Sequence, residues 1–291
     1  MGIKEQKREE VTFWERMPVN ILNTRISMSV KYIDVNTKVR AMYAKTFREE
    51  DYEELMRQKS VYASIILLKA KEEYEEYLKN LGESSHRGEL EKKLQESLIK
   101  DIERIAILLD GQGKQYFKIL ISKYIDDNVA YNNKLLYLYT KKYLKNDTDI
   151  LDLIGSKIDV LNIISIYRAK KYYHLPKDKI MERLIKVNYK LSKDMVSRLS
   201  EQTTISDLFK ILEETRYAEI FETNDEDQIE KNAKQFLFRI YKKHFRQDIQ
   251  KLSNVLAYIF LREIEIENII NIIEGIRYGQ DMAITKEQII Y

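Results

Sequence analysis

The chain carries one hydrophobic pattern along most of its length. Apolar residues recur at intervals of three and four, the spacing that places side chains on one face of an α-helix. Two clear examples of such stripes are Tyr52, Leu55, Met56, Tyr62, Ile65, Ile66 and Leu68, and Leu94, Leu98, Ile102, Ile105 and Leu109. The strict alternation typical of β-strands is hard to find. The pattern therefore predicts an all-α protein.

The composition suits long helices. Only 2 prolines and 8 glycines occur in 291 residues, whereas average usage is about 5% and 7% of residues. Charged residues make up 33% and hydrophobic residues 44% of the chain, as expected for amphipathic helices with solvated outer faces. Turn-forming residues cluster at five places, which we interpret as breaks between helices: 82–88, 110–113, 146–148, 175–176 and 223–227.

A short motif recurs along the chain. Residues 158–164 (IDVLNII) resemble residues 264–270 (IEIENII), and residues 33–39 (IDVNTKV) are a looser version. We call these the second, third and first motif copies. In addition, Glu91 precedes Asp126 by 35 residues, as Glu230 precedes Glu265. Repeated helical units that cannot each bury a face alone must pack on one another, as a stack or closed around an axis.

The repeats suggest a division of the chain. We predict an N-terminal extension over residues 1–25, which contains the single tryptophan, Trp14, followed by three helical repeats. The repeats are expected over residues 26–114, 115–222 and 223–291, with the third closed by helices from the start of the chain.

Each motif copy carries an acid and an asparagine. The acids are Asp34, Asp159 and Glu265, and the amides are Asn36, Asn162 and Asn268. In a structural role they would cap helix N-termini, where carboxylates and amides accept hydrogen bonds from unpaired backbone N–H groups. In a functional role they would line one polar surface that faces the common axis. The two roles are compatible.

Charge and cysteine content narrow the function classes. The net charge is only +3, from 50 basic and 47 acidic residues, whereas nucleic-acid-binding proteins have clustered positive charge. Cysteine is absent, which excludes disulfides and thiolate chemistry. The three histidines lie far apart, so we expect no metal site, no cofactor and no nucleic-acid partner. The longest apolar run, residues 255–261, ends at Arg262 and is too short for a membrane span.

Two acidic clusters raise the possibility of a magnesium-dependent helical enzyme, such as an isoprenoid synthase. They are Asp126-Asp127 and the series Asp147, Asp149 and Asp152. Such an enzyme needs aspartates one helical turn apart, but Ala130 stands four residues after Asp126. A second facing acidic set is also lacking. We therefore expect no catalytic residue and no small-molecule substrate.

Several longer stretches, in this order, resemble the V/A-type ATPase component that is called C in bacteria and archaea and d in eukaryotes. They begin with residues 32–43 (YIDVNTKVRAMY) and continue through 50–55 (EDYEEL) and 86–91 (HRGELE). Residues 159–170, which contain Asp159, Asn162 and Arg168, and residues 262–275 complete the series. The resemblance extends from about residue 30 to the last residue.

The resemblance implies three similar helical subdomains around a pseudo-threefold axis, shaped like a funnel. It also implies a non-catalytic rotor subunit on the cytoplasmic side of the membrane, without nucleotide. Its partners would be the central-stalk subunits and the membrane rotor ring, so that ATP hydrolysis or synthesis is linked to proton or sodium-ion transport.

The predicted partner interface combines the six motif acids and amides with two arginines, Arg40 and Arg168, which would pair with carboxylates of the stalk or the ring. The alternative is an unrelated cytoplasmic helical scaffold or adaptor, followed by a helical enzyme without a recognisable motif.

Overall fold

The computed structural model describes residues 32–83, 85–125, 128–145, 147–223, 225–247 and 250–291. The predicted N-terminal extension, Trp14 and the Asp126-Asp127 pair lie outside these ranges.

The described residues form helices joined by short turns, with no β-strand among them, which confirms the all-α prediction. A single-turn 3₁₀-helix covers Ala218–Phe221. The α-helices, numbered in chain order, are α1 Ile33–Tyr43, α2 Glu49–Met56, α3 Val61–Lys69, α4 Glu72–Leu78, α5 Arg87–Ala106, α6 Gly111–Ile125, α7 Val129–Tyr143, α8 Thr148–Lys171, α9 Lys177–Arg183, α10 Lys193–Glu201, α11 Ile205–Glu213, α12 Glu226–Arg246, α13 Leu252–Arg277 and α14 Met282–Gln288.

Helix α13 is the centre of the core. Of its 26 residues, 19 are buried, because apolar side chains surround it on all sides rather than forming one stripe. Helices α1, α3, α5, α8, α12 and α14 all pack against it. Among the described ranges, no helix combines the length and apolarity that a membrane crossing requires.

Helices α8 and α13, which carry the second and third motif copies, run side by side in the same direction. Near their starts, Lys251 Nζ lies 2.6 Å from the Asp149 carboxylate. Further along, Lys157 Nζ lies 2.6 Å from Glu263. Both contacts proceed toward the C-terminal ends of the two helices, so the helices are parallel.

The second and third motif copies make the same hydrogen bonds. In the second copy, the Asn162 amide donates to the Ile185 carbonyl at 2.9 Å and accepts from the Ile185 N–H at 2.9 Å. In the third, Asn268 donates to the Ile290 carbonyl at 2.6 Å and accepts from the Ile290 N–H at 3.1 Å. These two copies are therefore related in structure as well as in sequence.

The last described residues pack against the helices near the start of the described chain. The Tyr291 ring stacks on Tyr52 with 5.7 Å between centroids, and Lys286 pairs with Glu53 at 2.8 Å. The third motif copy is thus completed by α2, α3 and α4. The boundaries of the three repeats and their arrangement around an axis stay predictions.

The predicted helix starts were wrong for two of the three motif acids. Asp159 and Glu265 lie in the middle of α8 and α13. Helix α8 begins 11 residues before Asp159 and is capped by Asp147, whose carboxylate accepts from the Ile150 N–H at 3.1 Å. Only Asp34 lies in a first helical turn. The motif starts differ from the helix starts because both long helices continue upstream as mainly apolar sequence.

Candidate partner interface and buried charge clusters

The structure separates the eight predicted interface residues into a buried and an exposed group. Five are at most 4% exposed and make hydrogen bonds within the chain: Asn36, Asp159, Asn162, Glu265 and Asn268. The other three are exposed at the surface: Asp34, Arg40 and Arg168. The eight residues therefore do not form one continuous surface of this chain.

Asp159 organises a loop. Its Oδ2 accepts backbone N–H bonds from Lys190 at 2.8 Å and Leu191 at 3.1 Å, and a hydroxyl bond from Tyr217 at 2.7 Å. Burial raises the pKa of Asp159 although these donors favour its ionised form. The carboxylate holds the segment after α9 against the middle of α8.

Glu265 belongs to a buried network that includes a full positive charge. Arg262, which is 1% exposed, donates through Nη1 to Glu265 at 2.5 Å and to the Tyr74 hydroxyl at 2.8 Å. Its Nε donates to Asp101 at 3.3 Å, and Tyr258 donates to the same carboxylate at 3.0 Å. Burial alone would lower the pKa of Arg262, but the surrounding acidic groups, Glu265 first, raise it.

The network equates two tyrosines of the repeat. The Tyr74 hydroxyl donates to Glu265 at 2.8 Å, as the Tyr217 hydroxyl donates to Asp159. The network itself was not predicted, yet the sequence contains signals for it. Arg262 interrupts the longest apolar run, and Asp101 lies within the apolar stripe of α5.

A second buried cluster joins three helices. Glu263 of α13 accepts from Lys157 of α8 at 2.6 Å and from the Tyr124 hydroxyl of α6 at 2.7 Å, and it pairs with Lys123 of α6. The three charged side chains are between 6% and 16% exposed. The Phe260 ring lies 4.5 Å from the Lys157 ammonium and 5.3 Å from that of Lys123. This cluster was missed by the sequence analysis.

The charges in this cluster shift one another's pKa values. Burial alone would raise the pKa of Glu263, but the Lys123 and Lys157 ammonium groups outweigh burial and hold that pKa at about 2. Burial lowers the pKa of Lys123 to about 7, assisted by repulsion from Lys157 and opposed by attraction to Glu263. Two lysines share one carboxylate, so the cluster carries excess positive charge when both are protonated.

The acidic series at the start of α8 has structural partners. Asp147 caps the helix and Asp149 pairs with Lys251. Asp152 accepts from Arg216 at 2.9 Å, and its other oxygen lies 2.9 Å from Nε2 of His244, which is 2% exposed. Burial opposes ionisation of Asp152, but the bonds from His244 and Arg216 lower its pKa below its usual value. The described residues contain no group of three or more histidine or acidic side chains that could hold a metal ion.

The two exposed arginines have different surroundings. Arg40 donates through Nη2 to the carbonyls of Phe245 at 3.3 Å and Gln247 at 3.4 Å, which ties α1 to the end of α12. Arg168, near the end of α8, forms an ion pair with Glu230 in which its side chain stays 49% exposed. Asp34 is exposed in the first turn of α1.

An open groove of about 420 Å³ lies between the turn after α1, helices α12 and α13, and the last described residues. Its floor includes Leu261, Ile264 and Glu265. Five aromatic side chains line it: Tyr43, Phe47, Tyr52, Phe238 and Tyr291.

Comparison with known proteins identifies the family. A search of curated proteins gives no match. The family model described as ATP synthase (C/AC39) subunit matches residues 35–136 and residues 127–288. These two stretches include all the motif copies except the first two residues of the first, and both buried charge clusters. The chain therefore belongs to the ATP synthase (C/AC39) subunit family.

Proposed function

We propose that the chain is a non-catalytic rotor subunit of a V/A-type ATPase, peripheral on the cytoplasmic side of the membrane. It couples the central stalk to the membrane rotor ring, so that ATP hydrolysis or synthesis is linked to proton or sodium-ion transport. The observation that carries this proposal is the family match, which extends over most of the chain.

The packing suits a part that transmits torque. Helix α13 contacts helices from both halves of the chain, and its charged side chains bond to groups on α4, α5, α6 and α8. Charged hydrogen bonds are directional, so they fix the rotation of each helix about its own axis as well as its position. A connector held in this way deforms little under load.

The proposal includes the pseudo-threefold, funnel-like arrangement of three subdomains. The three helices that meet at Glu263 are consistent with it, because each would belong to a different repeat. The exposed members of the predicted interface, Asp34, Arg40 and Arg168, would contact the stalk or the ring directly. The buried members would act by holding the surrounding elements in place.

Capture experiments with the cognate stalk subunits and the detergent-solubilised ring test this function. The wild-type chain is expected to retain both partners, as an unrelated scaffold would not. Arg168→Glu should weaken capture of one partner at least tenfold, because it reverses an exposed charge. Arg198→Glu is the matched control, since Arg198 is also exposed on a helix but lies outside the predicted interface. Capture of neither partner by the wild-type chain would refute the proposal.

A further inference from the structure

The groove floor has a sequence counterpart in the second motif copy. The clamp residues Asn268 and Asn162 are 106 residues apart, and so are Glu265 and Asp159. The same offset pairs Leu261 on the groove floor with Gly155 on α8. The groove and the middle of α8 are therefore equivalent places in two related units.

In the second copy this place is covered by the chain itself. The Tyr189 ring lies so close to Gly155 that a Cβ added there would be 2.3 Å from it. The N–H groups of Lys190 and Leu191 both donate to Asp159. Between 186 and 191, Val187 and Leu191 are buried while Lys186, Asn188 and Lys190 are exposed, so inward and outward positions alternate.

In the third copy the groove lies where that segment would pass. Glu265 lines it, and the bonds from Tyr74 and Arg262 both end on its Oε1. Oε2 takes part in neither of them. A buried carboxylate at the base of an apolar groove complements the partial positive charge of backbone N–H donors, and such charge-assisted bonds are strong.

We propose that the groove binds a short extended segment of a partner polypeptide, with apolar side chains at alternate positions and two consecutive backbone N–H groups directed at Glu265. Binding of an extended peptide through its main chain, with pockets for alternate side chains, is an established mode of recognition. Leu261 stands in place of Gly155, so the groove selects a small side chain where the second copy has Tyr189. The proposal does not depend on the rotor function.

The second copy supplies the probe. A capped peptide of residues 185–192 with Tyr189→Ala is titrated into the full chain and followed by fluorescence anisotropy. Saturable binding is expected. The peptide that keeps Tyr189 should bind at least fivefold more weakly, because its ring meets Leu261. A peptide methylated on the nitrogens of Lys190 and Leu191 should bind at least tenfold more weakly, because it lacks the two donors.

Two protein variants locate the binding site. Ala44 is exposed and lines the groove, so Ala44→Trp should weaken binding at least tenfold. Ala41 is exposed on α1 outside the groove, so Ala41→Trp should leave binding unchanged. No saturable binding, equal binding of the methylated peptide, or binding that Ala44→Trp leaves intact would each overturn the proposal. The assay contains neither stalk nor ring, so its failure is distinguishable from failure of the proposed function.

Discussion

Replacing Glu263 by glutamine tests whether the three-helix charge cluster holds the core together. Glu263→Gln keeps the size of the side chain but removes the carboxylate that Lys123, Lys157 and Tyr124 share. The two ammonium groups then stay in a site where they are 6% and 16% exposed, without a negative charge between them.

The expected loss of stability is large. Removing one partner of a buried ion pair costs about 3–5 kcal/mol, because an uncompensated buried charge is left behind. Domains are stable by only about 5–15 kcal/mol, so the variant should unfold at a much lower urea concentration. The matched control is Glu219→Gln, which breaks the Arg239 pair in which both side chains are about half exposed. Exposed pairs contribute about 0–1 kcal/mol.

Urea unfolding followed by circular dichroism at pH 7 and pH 9 measures both the size and the cause of the effect. Without the carboxylate, deprotonation of Lys123 relieves the buried repulsion, and its pKa is already lowered in the wild-type chain. The unfolded chain then binds more protons than the folded one, so the stability of Glu263→Gln should increase from pH 7 to pH 9. A loss below about 1 kcal/mol, or no such recovery, would refute the reasoning.

Three further predictions concern acid stability, packing and the repeated clamp. The pKa of Glu263, about 2, is below the usual value of about 4.3 for an unfolded chain; its stabilising contribution is therefore present above pH 4 and should be lost as pH falls toward 2, and urea midpoints of Glu263→Gln should lack this part of the acid dependence. Gly155→Ala should cost about 1–3 kcal/mol, since the new Cβ overlaps the Tyr189 ring, whereas Gly113→Ala, whose Cβ would have only ordinary contacts of 3.7–3.8 Å, should leave the thermal midpoint unchanged or raise it. Asn162→Ala and Asn268→Ala should each cost roughly 2–4 kcal/mol, because both leave a backbone N–H and a carbonyl without their partner, while Thr37→Ala, at an exposed helix position, should have little effect on chemical unfolding.

The helices could be predicted because most of them are amphipathic. In α5, Leu94, Leu98, Ile102 and Ile105 are all buried as their spacing indicates. The break at 175–176 is real as well, with Pro176 at the N-cap of α9. The true start of α13 was missed for a physical reason. A helix buried on all sides has no polar face, so its apolar pattern gives no sign of where the helix begins.

The charge clusters could not be predicted because their members are far apart in the chain. Tyr258 and Asp101 are 157 positions apart, and Lys123 and Glu263 are 140 apart. Periodicity reports which face of a helix is buried, but it does not report which polar groups meet inside. A polar residue within an apolar stripe, such as Asp101, signals only that some partner must exist, because a buried charge is costly without one.

Comparison of the two related copies explains why the motif keeps an acid and an asparagine. The asparagine clamps one backbone residue 22 or 23 positions downstream in both copies. The acid accepts a tyrosine hydroxyl in both, although that tyrosine follows the acid in the second copy and precedes it by 191 positions in the third. The third unit thus uses helices from the opposite end of the chain to satisfy the same two polar groups. We infer that these groups specify how the repeats assemble, since apolar contacts alone tolerate a small rotation of a helix and directional hydrogen bonds do not.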